Sequence, residues 1–138
     1  MKKSLLVYVI DDKEEVLMMV KALLMELGHR PIAFSDPLKA LADFLKQAQH
    51  DSYPDLVISD YEMPGITGDL LVWGMKEFSN GNRNIGTILM SGLYPPGEEF
   101  DRVAFTRSNA DAFLSKPFSL ADIEKAICEI FPELTAVG

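Results

Sequence analysis

The chain has a single cysteine, Cys128, so no disulfide can form within it. It has two histidines, His29 and His50, in separate segments. Without ligand spacing between them they suggest no metal site, and each reads as a solvated side chain. Positive charge is in the minority: 13 Lys and Arg stand against 21 Asp and Glu, for a net charge of −8. An acidic surface repels phosphodiester backbones, which excludes direct nucleic-acid binding as the default. Long hydrophobic runs are absent too. The apolar stretch Leu5 to Ile10 is too short for a signal-peptide core and stops at two acids. No run approaches the ~18 apolar residues of a membrane span. No membrane association is expected, and the cytoplasm is the expected location.

What remains is ordinary globular material. With 138 residues, 48% hydrophobic and 25% charged, the chain is long enough for its own core. It shows no internal repeat, low-complexity tract or linker. One domain over residues 1–138 is expected.

Leu5 to Ile10 is a continuous β-branched and apolar run, which reads as a strand covered on both faces. Asp12 with Glu15 suggests a capping box for a first helix whose face is Val16, Val20, Leu23, Leu24 and Leu27, stopped at Gly28. Pro31 to Phe34 is a second strand, and Asp36-Pro37 opens a helix striped with Leu38, Leu41, Ala42 and Leu45. Leu56 to Ser59 is a third strand, followed by a helix over 69–78 carrying Leu70, Leu71, Trp73 and Met75, with Trp73 read as a packing residue ahead of a surface anchor. Ile85 to Met90, a weak helix over 99–107, the strand Ala112 to Leu114, and a last helix capped by Ser119 complete the order. Cys128 is expected buried or half-buried, and Met18, Met19 and Met25 are expected in the core. Strands alternating with helices predict an α/β fold, (βα)₅, with a parallel sheet between two helical layers.

In an open parallel sheet, sites form beyond the carboxyl ends of the strands. Those positions hold Asp11 and Asp12, then Asp60, then Ser91 and Gly92, then Lys116. Taken singly, each has a plain reading: a helix cap, a strand-ending loop residue, a surface hydroxyl, an exposed cation. Taken together, they have chemistry. Crowded carboxylates stay ionised when a cation neutralises them, and hard oxygen ligands at few positions suit Mg²⁺ or Mn²⁺. Lys116, the Ser91 hydroxyl and the Gly92 amide can clamp a phosphoryl group, with Asp60 as the attacking oxygen.

The stretches VIDD (9–12), PDLVISDYEMPG (54–65), LMSG (89–92) and ADAFLSKPF (110–118) resemble the signature of response-regulator receiver domains of two-component signalling, over nearly the whole chain and in order. The resemblance implies a flavodoxin-like strand order 2-1-3-4-5. It implies that Asp60 accepts phosphate from a histidine kinase or histidine phosphotransfer protein. It implies that Asp11, Asp12, Asp60 and the Glu62 backbone carbonyl hold the metal, and that Lys116 pairs with Asp60 and then with the phosphoryl oxygens. Ser91 and Phe113 are then the switch pair, read by a downstream protein. The Lys116-Pro117 bond matches one that is usually cis. The domain would catalyse its own phosphorylation and hydrolysis without being a turnover enzyme, and a phosphorylation-dependent homodimer is compatible with it. Three features depart from the pattern: Ser91 in place of the commoner Thr, Phe113 without a hydroxyl, and a longer loop at Leu93 to Glu98.

Two other functions compete. A receiver-like interaction module would keep the fold and work without phosphorylation. A flavodoxin-like electron carrier would need a phosphate-cradling loop after the first strand, where Asp11-Asp12-Lys13-Glu14-Glu15 would repel a flavin phosphate.

Overall fold

The computed structural model describes residues 4–79, 84–92 and 99–136. The loop expected at Leu93 to Glu98 lies outside the described residues. Five strands alternate with five helices: β1 Leu6–Ile10, α1 Glu14–Glu26, β2 Arg30–Phe34, α2 Pro37–Ala48, β3 Leu56–Asp60, α3 Gly68–Ser79, β4 Gly86–Ser91, α4 Glu99–Ser108, β5 Ala112–Ser115 and α5 Leu120–Ile130. All strand pairings are parallel, and the order is β2-β1-β3-β4-β5. This is the expected (βα)₅ topology.

Side chains alternate across the sheet with period two. From β1, Val7 and Val9 join the core under α1 and α5, with Leu17, Val20, Leu24, Ile123 and Ile127. Tyr8 and Ile10 point the other way, into a core with Ala40, Phe44, Leu71 and Met75 from α2 and α3. Being covered on both faces explains why β1, β3 and β4 read as apolar runs rather than alternating patterns.

Several expectations shift by one helical position. On α2 the buried residues are Pro37, Ala40 and Phe44, while Leu38 and Leu45 face outward. Phe44 is the largest apolar group on that helix and takes the inward position against Tyr53. On α3 the buried face is Leu71, Val72 and Met75, leaving Leu70 and Trp73 exposed. Met18, Met19 and Met25 are exposed as well, because Leu17, Val20 and Leu24 already fill the inner face of α1. Asp12 does not cap α1. Lys13 occupies the N-cap without a side-chain bond, and its amide donates to Asp11 Oδ1 at 2.9 Å. Asp36 and Ser119 cap as expected: Asp36 accepts from the Leu38 amide, and Ser119 forms a reciprocal capping box with Asp122. Cys128 is half-buried, also as expected.

The two ends of the sheet are treated differently. At the amino ends of the strands, side chains satisfy backbone amides. Asp55 Oδ2 accepts from Leu6 N at 2.8 Å, and Asp111 Oδ2 accepts from Thr87 N at 2.9 Å. Lys76 closes on the other Asp111 oxygen at 2.8 Å. His29 belongs to this end. It is buried rather than solvated, and its Nδ1 accepts from Leu5 N at 3.1 Å.

That bond requires neutral imidazole. Burial lowers the His29 pKa below its ordinary 6.5. The unfolded chain therefore binds the proton first, so this contribution to stability is complete above about 6.5 and is lost as pH falls toward the lowered folded value. Thermal unfolding of wild type and His29→Gln from pH 7.5 to 5 should show wild type losing more stability on acidification. Parallel pH profiles would refute this role.

Candidate functional site

At the carboxyl ends charged side chains also meet one another. β1 leads to Asp11 and Asp12, β3 ends on Asp60, β4 ends on Ser91 with Gly92 just beyond it, and β5 leads to Lys116. The register explains the convergence. Ile10 lies opposite Ser59, Asp60 opposite Met90, and Ser91 opposite Ser115, so all these strands run out at nearly one level.

Lys116 Nζ lies 2.7 Å from Asp11 Oδ2 and 2.7 Å from Asp60 Oδ1. Asp11 is 0% exposed and Asp60 3%. One oxygen from each of Asp11, Asp12 and Asp60 falls within 4.8 Å of the others. Asp60 opens onto a cleft of about 490 Å³, lined also by Lys13, Val16, Met19, Glu62, Ser91, Gly92, Lys116 and Pro117. Lys116-Pro117 is cis.

The electrostatics follow from burial. Desolvation pushes the Asp60 pKa up, Lys116 opposes it, and the Asp11 charge adds to the rise. Burial alone would push Lys116 down, but hydrogen bonds to Asp11 and Asp60 outweigh it and the pKa goes up. The site thus holds more negative charge than its one buried ammonium compensates.

Ser91 Oγ is buried and has no hydrogen-bond partner among the described residues. A buried hydroxyl left unpaired costs about 1–3 kcal/mol, so a group in the cleft that accepted a hydrogen bond from it would be favoured. Gly92 admits Lys116: a Cβ there would lie 2.9 Å from Lys116 Cβ. Phe113 sits apart from the carboxylates. It packs against Val72, Leu89 and Ala110, and its ring meets Phe105 of α4 edge-on at 6.2 Å. The structure therefore brings Asp11, Asp12, Asp60, Ser91, Gly92 and Lys116 together, with Glu62 on the rim and Phe113 one layer away toward α4.

Three features escape the sequence reading. Asp69, in the first turn of α3, is fully buried and paired with Arg107 of α4. It looks in sequence like a favourable charge at a helix start, and nothing local marks its partner 38 residues away. Gly68 lies tight against the Asp60 carbonyl. Lys13 lines the cleft.

Residues 7–128 match the family model described as response regulator receiver domain. The phosphate regulon transcriptional regulatory protein PhoB of Escherichia coli is 28% identical over 132 residues, covering 96% of this chain and 54% of that protein. A two-component response regulator of Arabidopsis thaliana is 40% identical over 75 residues, 54% of this chain and 43% of that protein. The chain spans about half the length of these curated relatives. Among solved structures, a response regulator receiver domain protein from Clostridium thermocellum superposes with a TM-score of 0.76 at 23% identity, covering 97% of this chain and 99% of that one. Chemotaxis protein CheY4 of Vibrio cholerae gives 0.72 at 24% identity, covering 90% and 96%. With the fold, the strand-end carboxylates and the family match in agreement, the chain belongs to the receiver domains of two-component response regulators, a family of phosphorylation-dependent switches.

Proposed function

We propose that Asp60 is the phosphoacceptor and that the donor is a phosphohistidine on a histidine kinase or phosphotransfer protein. The observation that carries this reading is the buried Ser91 hydroxyl, unpartnered among the described residues, on the same cleft as Asp60 and Lys116. In the transfer, an Asp60 carboxylate oxygen attacks phosphorus. The N–P bond breaks, its electron pair returns to the donor imidazole nitrogen, and that nitrogen takes up a proton. Lys116 moves its hydrogen bond from the carboxylate toward a phosphoryl oxygen, and Ser91 Oγ with the Gly92 amide donates to the others. In hydrolysis, water attacks the same phosphorus, releasing phosphate and restoring the carboxylate.

The donor set fits a hard divalent cation, since its clustered oxygens carry charge that one ammonium does not balance. Asp11, Asp12, Asp60 and the Glu62 backbone carbonyl would hold Mg²⁺ or Mn²⁺. When bound, the ion supplies charge neutralisation to the phosphoryl oxygens.

Ser91 drawn toward the phosphoryl group leaves space next to β4. Phe113 and its Phe105 neighbour repack into it, and a downstream protein reads the α4–β5 side. The acidic body and the lack of an apolar helix long enough to cross a membrane among the described residues suit a cytoplasmic protein partner rather than a nucleic acid or a bilayer. A constitutive interaction module is disfavoured, because a desolvated carboxylate and an unpaired buried hydroxyl would then cost stability with nothing gained.

Intact mass after incubation with acetyl phosphate tests the reading. With Mg²⁺ the chain should gain one phosphoryl group, and with EDTA it should gain none. If no mass is gained and beryllofluoride does not bind at saturating Mg²⁺, the phosphoacceptor reading is lost.

A further inference from the structure

Lys13 is the charged cleft residue with no role so far. It occupies the N-cap of α1 and lines the cleft with Asp60, Ser91, Gly92 and Lys116. The position is poor for the helix. An N-cap side chain usually gives an oxygen to the first free amides, and Lys13 gives none. Its ammonium also adds positive charge at the positive end of the helix dipole. The Asp11 carboxylate fixes its backbone amide at 2.9 Å, so the side chain leaves from an anchored point. The ammonium has no hydrogen-bond or ion-pair partner among the described residues, although Glu14 and Glu15 follow it directly. Its charge nevertheless reaches Asp60 and works against the effect of burial on that carboxyl. Lys116 approaches the acceptor from the end of β5, and Lys13 approaches from the start of α1.

We propose that Lys13 is a second phosphoryl-positioning cation, its ammonium meeting the oxygens of the incoming phosphoryl group from the α1 side of the cleft while Lys116 meets them from the β5 side. The inference rests on Asp60 being the acceptor. Its competitor is electrostatic and structural: Lys13 merely offsets the repulsion of three carboxylates. The two roles separate by sign. A lysine beside the carboxylates repels a divalent cation in either case. Only a lysine that meets the phosphoryl group also attracts that anion. Removing the charge should therefore tighten metal binding under both readings and slow phosphoryl transfer under one alone.

Wild type, Lys13→Gln and Lys13→Arg would be compared as full chains. Calorimetric titration gives Mg²⁺ affinity, intact mass gives the rate of phosphorylation by acetyl phosphate at saturating Mg²⁺, and beryllofluoride titration gives affinity for a phosphoryl mimic. Lys13→Gln should bind Mg²⁺ about twofold to threefold more tightly, a small change because the ammonium is exposed. It should be phosphorylated about tenfold more slowly and bind beryllofluoride about tenfold more weakly, less than the loss of a buried oxyanion donor produces. Lys13→Arg should recover most of both. The deficit should narrow as salt rises from roughly 0.05 to 0.5 M, since an exposed charge is screened. Thermal unfolding should show Lys13→Gln no less stable than wild type, which removes misfolding as a cause. An unchanged rate and unchanged beryllofluoride affinity in Lys13→Gln overturns the proposal and leaves the Asp60 reading standing. A wild type that binds Mg²⁺ but neither gains mass nor binds beryllofluoride overturns both.

Discussion

Asp60→Asn should abolish phosphorylation and at the same time stabilise the fold. The first effect is chemical. An amide oxygen in place of the carboxylate has too little nucleophilicity to attack phosphorus, so the mass gain from acetyl phosphate and Mg²⁺ should fall below detection. The second effect comes from desolvation. Asp60 is 3% exposed, and burial together with the Asp11 charge raises its pKa despite Lys116. A carboxyl whose folded pKa is raised binds its proton more readily in the folded chain than in the unfolded one. Its ionised form therefore costs stability at every pH above the folded value, and the cost is relieved as pH falls through that value toward 3.8.

Asparagine has nearly the same volume and no charge, and Lys116 keeps its 2.7 Å contact with Asp11. At pH 7.5 in EDTA, Asp60→Asn should unfold a few degrees above wild type, equivalent to roughly 1 kcal/mol. The gap should close on acidification from the raised folded value toward 3.8. A phosphoryl gain that survives in the variant would move the acceptor to another residue, Asp12 or Ser91. A variant less stable than wild type at pH 7.5 would mean that the Lys116–Asp60 pair outweighs the desolvation.

The same contrast explains what could be seen in the sequence. The strand-end carboxylates were visible because sheet topology fixes where they go: a residue just past an apolar run in a parallel sheet has one destination. Asp11, Asp60, Ser91 and Lys116 meet as expected because strands that end at one register level leave little freedom. Helix faces were less legible. The stripe through Leu38 and Leu45 has correct spacing but the wrong phase, and Phe44 decides the phase by filling the space beside Tyr53. On α1, Met18, Met19 and Met25 are as apolar as the leucines, and only the shape of the inner face selects Leu17, Val20 and Leu24. His29 was misplaced because its partner, the Leu5 amide, is distant in sequence and carries no side-chain signal. The Asp69–Arg107 pair and the Lys13 ammonium were missed for a similar reason: each depends on which loop or helix end comes close in space, and composition does not record that.

Gly68→Ala should be the most damaging glycine-to-alanine change among the described residues. A Cβ at position 68 would lie 1.8 Å from the Asp60 carbonyl oxygen, 2.7 Å from the Asp60 carbonyl carbon and 3.0 Å from Tyr61 Cα. These are main-chain atoms of the proposed phosphoacceptor and its neighbour, and no rotamer change can move them. The contact exists because the loop after β3 folds back on itself, with Gly68 N donating to the Tyr61 carbonyl at 2.7 Å. Relieving the overlap requires a backbone shift of an ångström or more, either of α3 or of the end of β3. A displaced α3 would strip Leu71 and Met75 from the core, and a displaced β3 would move the Asp60 carboxylate off Lys116. Denaturant unfolding should show a loss of at least about 2 kcal/mol, with a melting midpoint lower by roughly ten degrees. Phosphorylation of the folded fraction should also slow, since a shift of about 1 Å at an acceptor oxygen can cost ~100-fold in rate. Gly74→Ala supplies the internal comparison. It sits in the same helix with nothing within 4 Å of its added Cβ, and should gain about 0.5–1 kcal/mol from helix propensity alone. Opposite signs at positions 68 and 74 would tie the loss to the carbonyl of Asp60, whereas a Gly68→Ala protein as stable and as readily phosphorylated as wild type would show that the close approach of α3 to the acceptor strand is dispensable.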